Sequence, residues 1–236
     1  MASNAAATTT QSRQARKPAG TMVGIPPRQL DFVYPESAPR YFFYNNATAT
    51  LFFAVLSGIF PPGERFFVES VRRFRHVITD ETLKAQVSGF IGQESLHGRE
   101  HERLNEMLAG KGINTKVPEQ AVKFGLWLME QLPPRQQLAC TIFMEHFTAH
   151  LAEHWLTNEE FRKQADPEMV KLWQWHALEE MEHKSVAYDV YELIGNRRYE
   201  RILAVPIVVA TLLPGILASW AYLVVNDGQA FKVKAN

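Results

Sequence analysis

Apolar residues recur at helical spacing along most of this chain, and no segment alternates apolar and polar residues as a half-buried strand does. After Asn46 the helical pattern runs to a break at Pro61-Pro62-Gly63 and then continues to about residue 78. Further helices are predicted over residues 82–109, 119–131, 135–156 and 167–194. No repeat of solenoid length is present, so the sequence predicts an all-α fold.

The last part of the chain has a different character. Residues 202–225 are 24 consecutive residues without a charge, long enough to span the roughly 30 Å core of a bilayer. Pro206 and Pro214-Gly215 divide this stretch into short pieces, which favours a pair of additional C-terminal apolar helices. Two interpretations stay open: association with a membrane, or a helix pair that is packed on the domain or buried in an oligomer.

These patterns divide the chain into three parts. We expect a disordered N-terminal tail at residues 1–27, rich in Ala, Thr, Ser and Gln and without the apolar core of a secretory signal peptide. A helical domain at residues 28–200 follows, and then an apolar C-terminal helical segment at residues 201–236.

The charge balance and the cysteine count limit the partners, the cellular compartment and the metal ligands that the sequence predicts. Lys+Arg and Asp+Glu both number 25, so no net charge points to nucleic acid as a partner. The single cysteine, Cys140, cannot form an internal disulfide, which predicts a reducing, cytoplasmic environment. It also leaves nitrogen and oxygen atoms as the ligands of any metal.

Two of the predicted helices carry the same pattern of metal-ligand residue types. Each has a glutamate three positions before a histidine, at Glu94–His97 and Glu180–His183. A further histidine lies one helical turn away on the same face, at His101 and at His176. Such pairs also occur on solvated helix faces, so the spacing alone is weak evidence of a site.

Two other predicted helices each offer a glutamate. Glu64 lies 30 residues before Glu94, and Glu145 lies 35 residues before Glu180, as two antiparallel helix hairpins require. In bundles that hold two iron or manganese ions, one Glu from each of two helices joins a Glu-x-x-His from each of the others. The sequence therefore predicts two divalent metal ions, with iron favoured over manganese or zinc. Glu69 competes with Glu64, which we prefer for its spacing.

Eight residues are candidate metal ligands. The sequence leaves two roles open for His101 and His176. Each either binds metal or supports another ligand from behind. Glu179 is expected to orient a ligand imidazole. The complete candidate set is Glu64, Glu94, His97, His101, Glu145, His176, Glu180 and His183.

Four segments in the same order resemble a bacterial family described as predicted metal-dependent hydrolases, which is ferritin-like. They are LSGIFPPGERFFVESVRRFRHVITD, FIGQESLHGREHERLNEML, CTIFMEHFTAHLAEHWL and WHALEEMEHKSVAYDVYE, and the likeness covers residues 28–200. The resemblance implies a ferritin-like four-helix bundle with a dinuclear metal centre. The run from His176 to His183 is also similar to one helix of the di-iron arylamine N-oxygenases, which implies a third histidine ligand at His176 and an oxygen-activating centre.

Three functions are compatible with such a centre. The leading hypothesis is a di-iron oxygenase or oxidase that uses dioxygen to oxidise a small or lipid-like substrate. The alternative is a metal-dependent hydrolase in which the dinuclear centre activates water. A non-catalytic iron-binding protein is the third, because fold does not fix function. We expect a homodimer, the commonest oligomer, and an apolar access channel if residues 202–225 pack beside the bundle.

Overall fold

A computed structural model of the protein describes residues 20–43 and 46–228. The helices are α1 (Ala47–Arg72), α2 (Glu81–Gly110), α3 (Lys116–Glu130), α4 (Pro134–Thr157), α5 (Glu159–Gln164), α6 (Pro167–His183), α7 (Val186–Leu193) and α8 (Arg198–Asn226). Short 3-10 turns lie at Thr21–Val23 and Arg75–Val77. The described residues contain no strand beyond an isolated bridge between Phe43 and Ala165, so the predicted all-α fold is confirmed.

The helices begin where the sequence supplies partners for their first backbone N–H groups. The side chains of Asn46, Asp80 and Asp166 accept hydrogen bonds from the first turns of α1, α2 and α6. Pro134 and Pro167 occupy the first positions of α4 and α6, where a missing N–H costs nothing. As a result α2, α3 and α4 begin and end within three residues of the predicted bounds.

Four helices form a closed ring. α1 packs along α2 and α4 along α6, while contacts between α1 and α4 and between α2 and α6 complete the bundle. The apolar core consists of two clusters. One contains Phe66, Phe90 and Met144, and the other contains Phe60, Leu104 and Trp173. On each of these four helices the candidate ligands lie between the two clusters, so a polar layer crosses the bundle.

The predicted break at Pro61-Pro62 was wrong, because α1 continues through both prolines. Pro61 has no N–H to donate to the carbonyl oxygen of Ser57, four positions earlier. The side chain of Asn105 on α2 supplies that hydrogen bond instead, from Nδ2 to the Ser57 oxygen at 3.0 Å. The helix therefore keeps its direction, and Glu64 stays on the face that points into the bundle.

The predicted helix over residues 167–194 is two helices, α6 and α7, which separate at Lys184 and Ser185. The Ser185 hydroxyl donates to Asp189 in the first turn of α7 at 3.0 Å. The sequence has neither Gly nor Pro at this point to indicate the break.

The predicted pair of C-terminal helices was also wrong, because α8 is continuous through Pro206 and Pro214. The prolines deprive the carbonyl oxygens of Ile202 and Ala210 of their helical donors. Both of these residues lie on the exposed side of α8. α8 packs against α3 and α4, and an added Cβ at Gly125 on α3 would lie 2.4 Å from the Thr211 oxygen.

Two stretches of the described chain are long and apolar enough to cross a membrane by length and composition, Ala47–Val77 and Arg198–Asn226. The most apolar window of the first is 78% buried in the bundle, as in a core helix, whereas that of the second is only 22% buried. The outer side of α8 is consequently an exposed apolar face. Membrane association through residues 202–225, a homodimer and a cytoplasmic location stay predictions.

The predicted tail lies outside the described residues as far as residue 19. Residues 20–27 of that tail do not extend away from the domain but lie along α2. An added Cβ at Gly89 would lie 2.5 Å from the Ile25 oxygen, and one at Gly92 would lie 2.5 Å from Pro27 Cγ. These two glycines let the segment before α1 approach the helix backbone closely.

Replacing Asn105 by Asp should destabilise the fold by roughly 1–2 kcal/mol, because a carboxylate cannot donate to the Ser57 carbonyl group that Pro61 leaves unpaired. Urea unfolding measures the change. Asn226→Asp is the matched control, since Asn226 donates to a carbonyl at the exposed end of α8. An equal loss of stability in both variants would contradict the role given to Asn105.

Candidate metal centre

Seven of the eight candidate ligands meet in the polar layer of the bundle, and each is at most 3% exposed. Three overlapping groups have ligand atoms that all lie within 4.8 Å of one another. These groups are Glu64/His97/His176, Glu94/His97/Glu180 and Glu94/Glu145/His183. Helices α1, α2, α4 and α6 thus each contribute to one cluster of carboxylates and imidazoles.

Most of the polar atoms that face one another in this cluster make no hydrogen bond. Both carboxylate oxygens of Glu64, Glu94 and Glu145 are buried without a hydrogen-bond partner, as are Glu180 Oε2, His97 Nδ1 and His183 Nε2. His183 Nε2 lies 3.0 Å from Glu94 Oε1, but not in hydrogen-bond geometry. Buried polar groups in native proteins are nearly always paired. A set of oxygen and nitrogen lone pairs directed at shared points is what divalent cations need, so the residues present fit two metal ions.

Neighbouring side chains orient the imidazole rings of His97 and His183. Glu179 Oε2 lies 3.1 Å from His97 Nε2, and Gln93 Oε1 lies 3.0 Å from His183 Nδ1. When these nitrogens donate, the other nitrogen of each ring presents a lone pair to the cluster. A partner that fixes the tautomer in this way is typical of metal-binding histidines.

His176 and His101 occupy different positions, although the sequence could not separate them. His176 Nε2 points into the cluster, 3.0 Å from Glu180 Oε1 and 3.9 Å from Glu64 Oε1. His101 is turned away: its Nε2 lies 2.8 Å from His176 Nδ1 and its Nδ1 lies 3.0 Å from the Ser57 hydroxyl. With both nitrogens engaged, His101 supports His176 from behind, which is one of the two roles that the sequence left open.

The two glutamates that competed on α1 are also distinguished. Glu64 is 2% exposed and belongs to the cluster, whereas the Glu69 side chain is 50% exposed and pairs with Arg72 at 2.5 Å. Gly98 on α2 has no side chain, which leaves space for the Glu64 carboxylate. A Cβ at Gly98 would lie only 3.2 Å from Glu64 Oε2.

Sequence reasoning missed the groups behind Glu179 and Gln93. The Arg28 guanidinium donates to Glu179 at 3.1 Å and to Glu182 at 2.7 Å, and its backbone N–H donates to Glu179 at 3.2 Å. Gln93 Nε2 donates to Glu182 and to the Pro26 carbonyl oxygen. No local pattern marks Arg28, because it lies in an irregular segment far along the chain from its partners.

Burial and mutual repulsion set the protonation of the carboxyl groups. Burial raises the pKa of Glu64 well above its ordinary value, and the charges of Glu94 and Glu180 raise it further. Burial also raises the pKa of Glu145, which the charge of His183 only partly offsets. For Glu180, burial acts in the same direction, but the hydrogen bond from His176 and the nearby His183 ring outweigh it and hold the pKa well below the ordinary range.

Comparison with known protein families agrees with this chemistry. Residues 26–236 match the model of a family described as "Predicted metal-dependent hydrolase". The chain belongs to this metal-dependent hydrolase family. The match includes α8, so the apolar C-terminal helix is part of the family pattern and lies beyond the residues 28–200 on which the sequence resemblance rested.

No curated protein and no solved structure matches the chain. The ferritin-like relationship and the likeness to N-oxygenases therefore stay predictions. The family description agrees with the hydrolytic alternative, whereas no comparison supports the oxygenase that the sequence analysis placed first.

In the metal-free protein, Glu64→Gln should raise the thermal unfolding midpoint, and the gain should grow with pH. Because the pKa of Glu64 in the fold lies above its ordinary value of 4.5, the wild type loses stability as the pH rises above 4.5. Glutamine has no charge to bury and avoids this loss. Thermal unfolding after chelation, from pH 4.5 to about 8, measures the difference.

Glu69→Gln is the matched control for this experiment, since Glu69 is exposed on the same helix. It should give no gain that grows with pH. A gain for Glu64→Gln that shrinks as the pH rises would show that its carboxyl group is ionised without cost in the fold.

Glu179→Ala should weaken the binding of divalent metal by roughly 10–100-fold, because His97 loses the group that fixes its ring and tautomer. Competition with a chromophoric chelator measures the affinity. Glu168→Ala on the same helix is the control, because Glu168 is paired with Lys171 on the surface. Equal affinities in the two variants would contradict this role of Glu179.

Proposed function

We propose that this protein is a metal-dependent hydrolase whose buried carboxylate and imidazole cluster holds two divalent ions. The unpaired oxygens of Glu64, Glu94 and Glu145 carry the proposal, because divalent cations complement several converging lone pairs at once. Membership of a family described as metal-dependent hydrolases supports the same function.

The three ligand groups suggest how the residues would be shared. Glu64, His97 Nδ1 and His176 Nε2 would hold one ion, and Glu94, Glu145 and His183 Nε2 would hold the other. Glu180 lies between the two sets, with Oε1 3.7 Å from both His97 Nδ1 and His183 Nε2. Two such ions supply Lewis acidity, which polarises the bond to be cleaved and lowers the pKa of water.

The residues of the chain contribute orientation and proton transfer. Glu179 and Gln93 hold two imidazole rings in the tautomer that leaves a lone pair for the metal. Glu64 Oε2 faces Gly98 at the edge of the cluster and is the carboxylate oxygen best placed to take a proton from an entering water molecule. The apolar clusters on both sides of the layer exclude bulk water from the remaining ligands.

The carboxylate-rich donor set suits iron, manganese or zinc, so the identity of the metal does not decide the reaction. Hydrolysis needs only the Lewis acidity that each of these ions provides. Oxygen activation needs in addition a metal that changes its oxidation state, and nothing in the family description indicates one.

The test is to load the protein with zinc, manganese or ferrous iron and to measure metal content and the hydrolysis of carboxylic and phosphoric esters. We expect about two ions per chain and a turnover that is the same in air and under nitrogen. Glu94→Ala and Glu180→Ala should lose at least one ion and reduce turnover by about 100-fold or more. His154→Ala, on the outer surface of α4, is the control.

Each other outcome favours a different function. Turnover that consumes dioxygen would favour the oxygenase hypothesis over the hydrolase. Binding of many ions per chain without turnover would indicate iron handling. Metal content that is unchanged in Glu94→Ala and Glu180→Ala would show that the cluster is not the metal site.

A further inference from the structure

A cleft between α1 and α2 leads from the surface to the candidate centre. Its volume is about 370 Å³, and its floor includes two of the candidate ligands, Glu64 and Glu94. Gly98 lies between this floor and the surface, and a Cβ there would lie 3.2 Å from Glu64 Oε2. The missing side chain at Gly98 therefore keeps the cleft open down to a metal-binding carboxylate.

The cleft differs from the apolar channel expected beside the C-terminal segment. α8 contributes no residue to it, and the walls carry charged side chains. A larger cavity of about 540 Å³ does involve α8, through Arg201, but none of the candidate ligands lines it. A substrate that reaches the centre through the α1–α2 cleft must therefore pass charged groups.

Three arginines line the cleft, and they differ in their partners. Arg72 is paired with Glu69 at 2.5 Å, and Arg99 is paired with Glu100 at 3.1 Å. Among the described residues Arg65 has no ion-pair partner, although it directly follows Glu64 in the chain. Arg65 is exposed, and none of the described residues accepts a hydrogen bond from its guanidinium group.

Acidic residues also line the mouth, and they limit what it can bind. Glu69 is neutralised by Arg72, whereas Glu102 lines this cleft and a neighbouring one together with Arg65 and offsets part of its charge. Once cations neutralise Glu64 and Glu94, three arginines and two glutamates, Glu69 and Glu102, remain in the lining, so its net charge is positive. A guanidinium group binds planar or tetrahedral oxyanions through two parallel hydrogen bonds.

We propose that the α1–α2 cleft is the substrate entrance and that Arg65, assisted by Arg99, binds an oxyanion group of the substrate. This inference rests on the proposed hydrolase and adds the class of substrate to it: a carboxylate- or phosphate-bearing molecule. Arg65 thereby selects the substrate, while the bond to be cleaved lies deeper, next to Glu64 and Glu94. Water adds to the acyl or phosphoryl group, the ester bond breaks, and the leaving alcohol takes the proton.

The test compares two esters of the same acyl length, para-nitrophenyl butyrate, which is neutral, and para-nitrophenyl hemisuccinate, which carries a carboxylate. In metal-loaded protein, Arg65→Gln should raise KM for the hemisuccinate by about tenfold and leave the butyrate unchanged. Arg65→Lys should restore part of the difference. Arg73→Gln removes the same charge from the same end of α1 outside this cleft and should change neither KM.

A measurement of phosphate binding tests the role of Arg65 without requiring that the protein hydrolyse an ester. Titration of the metal-loaded protein with inorganic phosphate should give a Kd about tenfold weaker in Arg65→Gln than in Arg73→Gln, at equal metal content. If neither ester is cleaved, the hydrolase fails and the phosphate titration alone decides the role of Arg65. Equal phosphate affinities in the two variants would overturn the inference. A weaker phosphate affinity in Arg65→Gln, together with equal KM changes for both esters, would restrict the substrate class to phosphate-bearing molecules.

Discussion

Four glutamates meet inside the bundle with most of their oxygens unpaired, and the rest of the structure is arranged around that charge. Burying an uncompensated carboxylate costs several kcal/mol, and here neighbouring carboxylates add repulsion. The apolar clusters on either side of the layer keep these side chains at most 3% exposed, so solvent relieves little of this cost. Cations would remove it, so metal binding and the stability of the fold are coupled through the same side chains.

The hydrogen bonds that orient the His97 and His183 rings lead back to one residue, Arg28. His97 is held by Glu179, which accepts from Arg28, and His183 is held by Gln93, which bonds to Glu182 and through it to Arg28. Arg28 lies in the segment before α1, which Gly89 and Gly92 allow to lie close against α2. A segment without regular structure therefore connects the ligand rings of two helices, and its position depends on glycines that carry no chemistry themselves.

Helical geometry explains which parts of the centre were predictable from the sequence. Spacings of three and four positions place side chains on one face, so the sequence could bring the candidate ligands of α2 and α6 together. Spacing indicates the helix face on which a side chain lies but not whether its ring reaches the cluster. His101 and His176 could therefore not be distinguished from the sequence. Partners across space have no local signal: Gln93 and His183 are 90 positions apart, and Arg28 and Glu179 are 151 apart. The error at Pro61 has a related cause, because the donor that rescues α1 lies on α2.

The two sides of the centre differ in a way that bears on its chemistry. Behind His176, the rings of Phe60 and Trp173 and the His101 imidazole close the layer with aromatic contacts. In front of Glu64 and Glu94, a charged cleft opens to the surface. A hydrolase must admit both water and a polar substrate to its centre. An entrance with charged walls, positioned over Glu64 and Glu94, admits both, as the proposed hydrolysis requires.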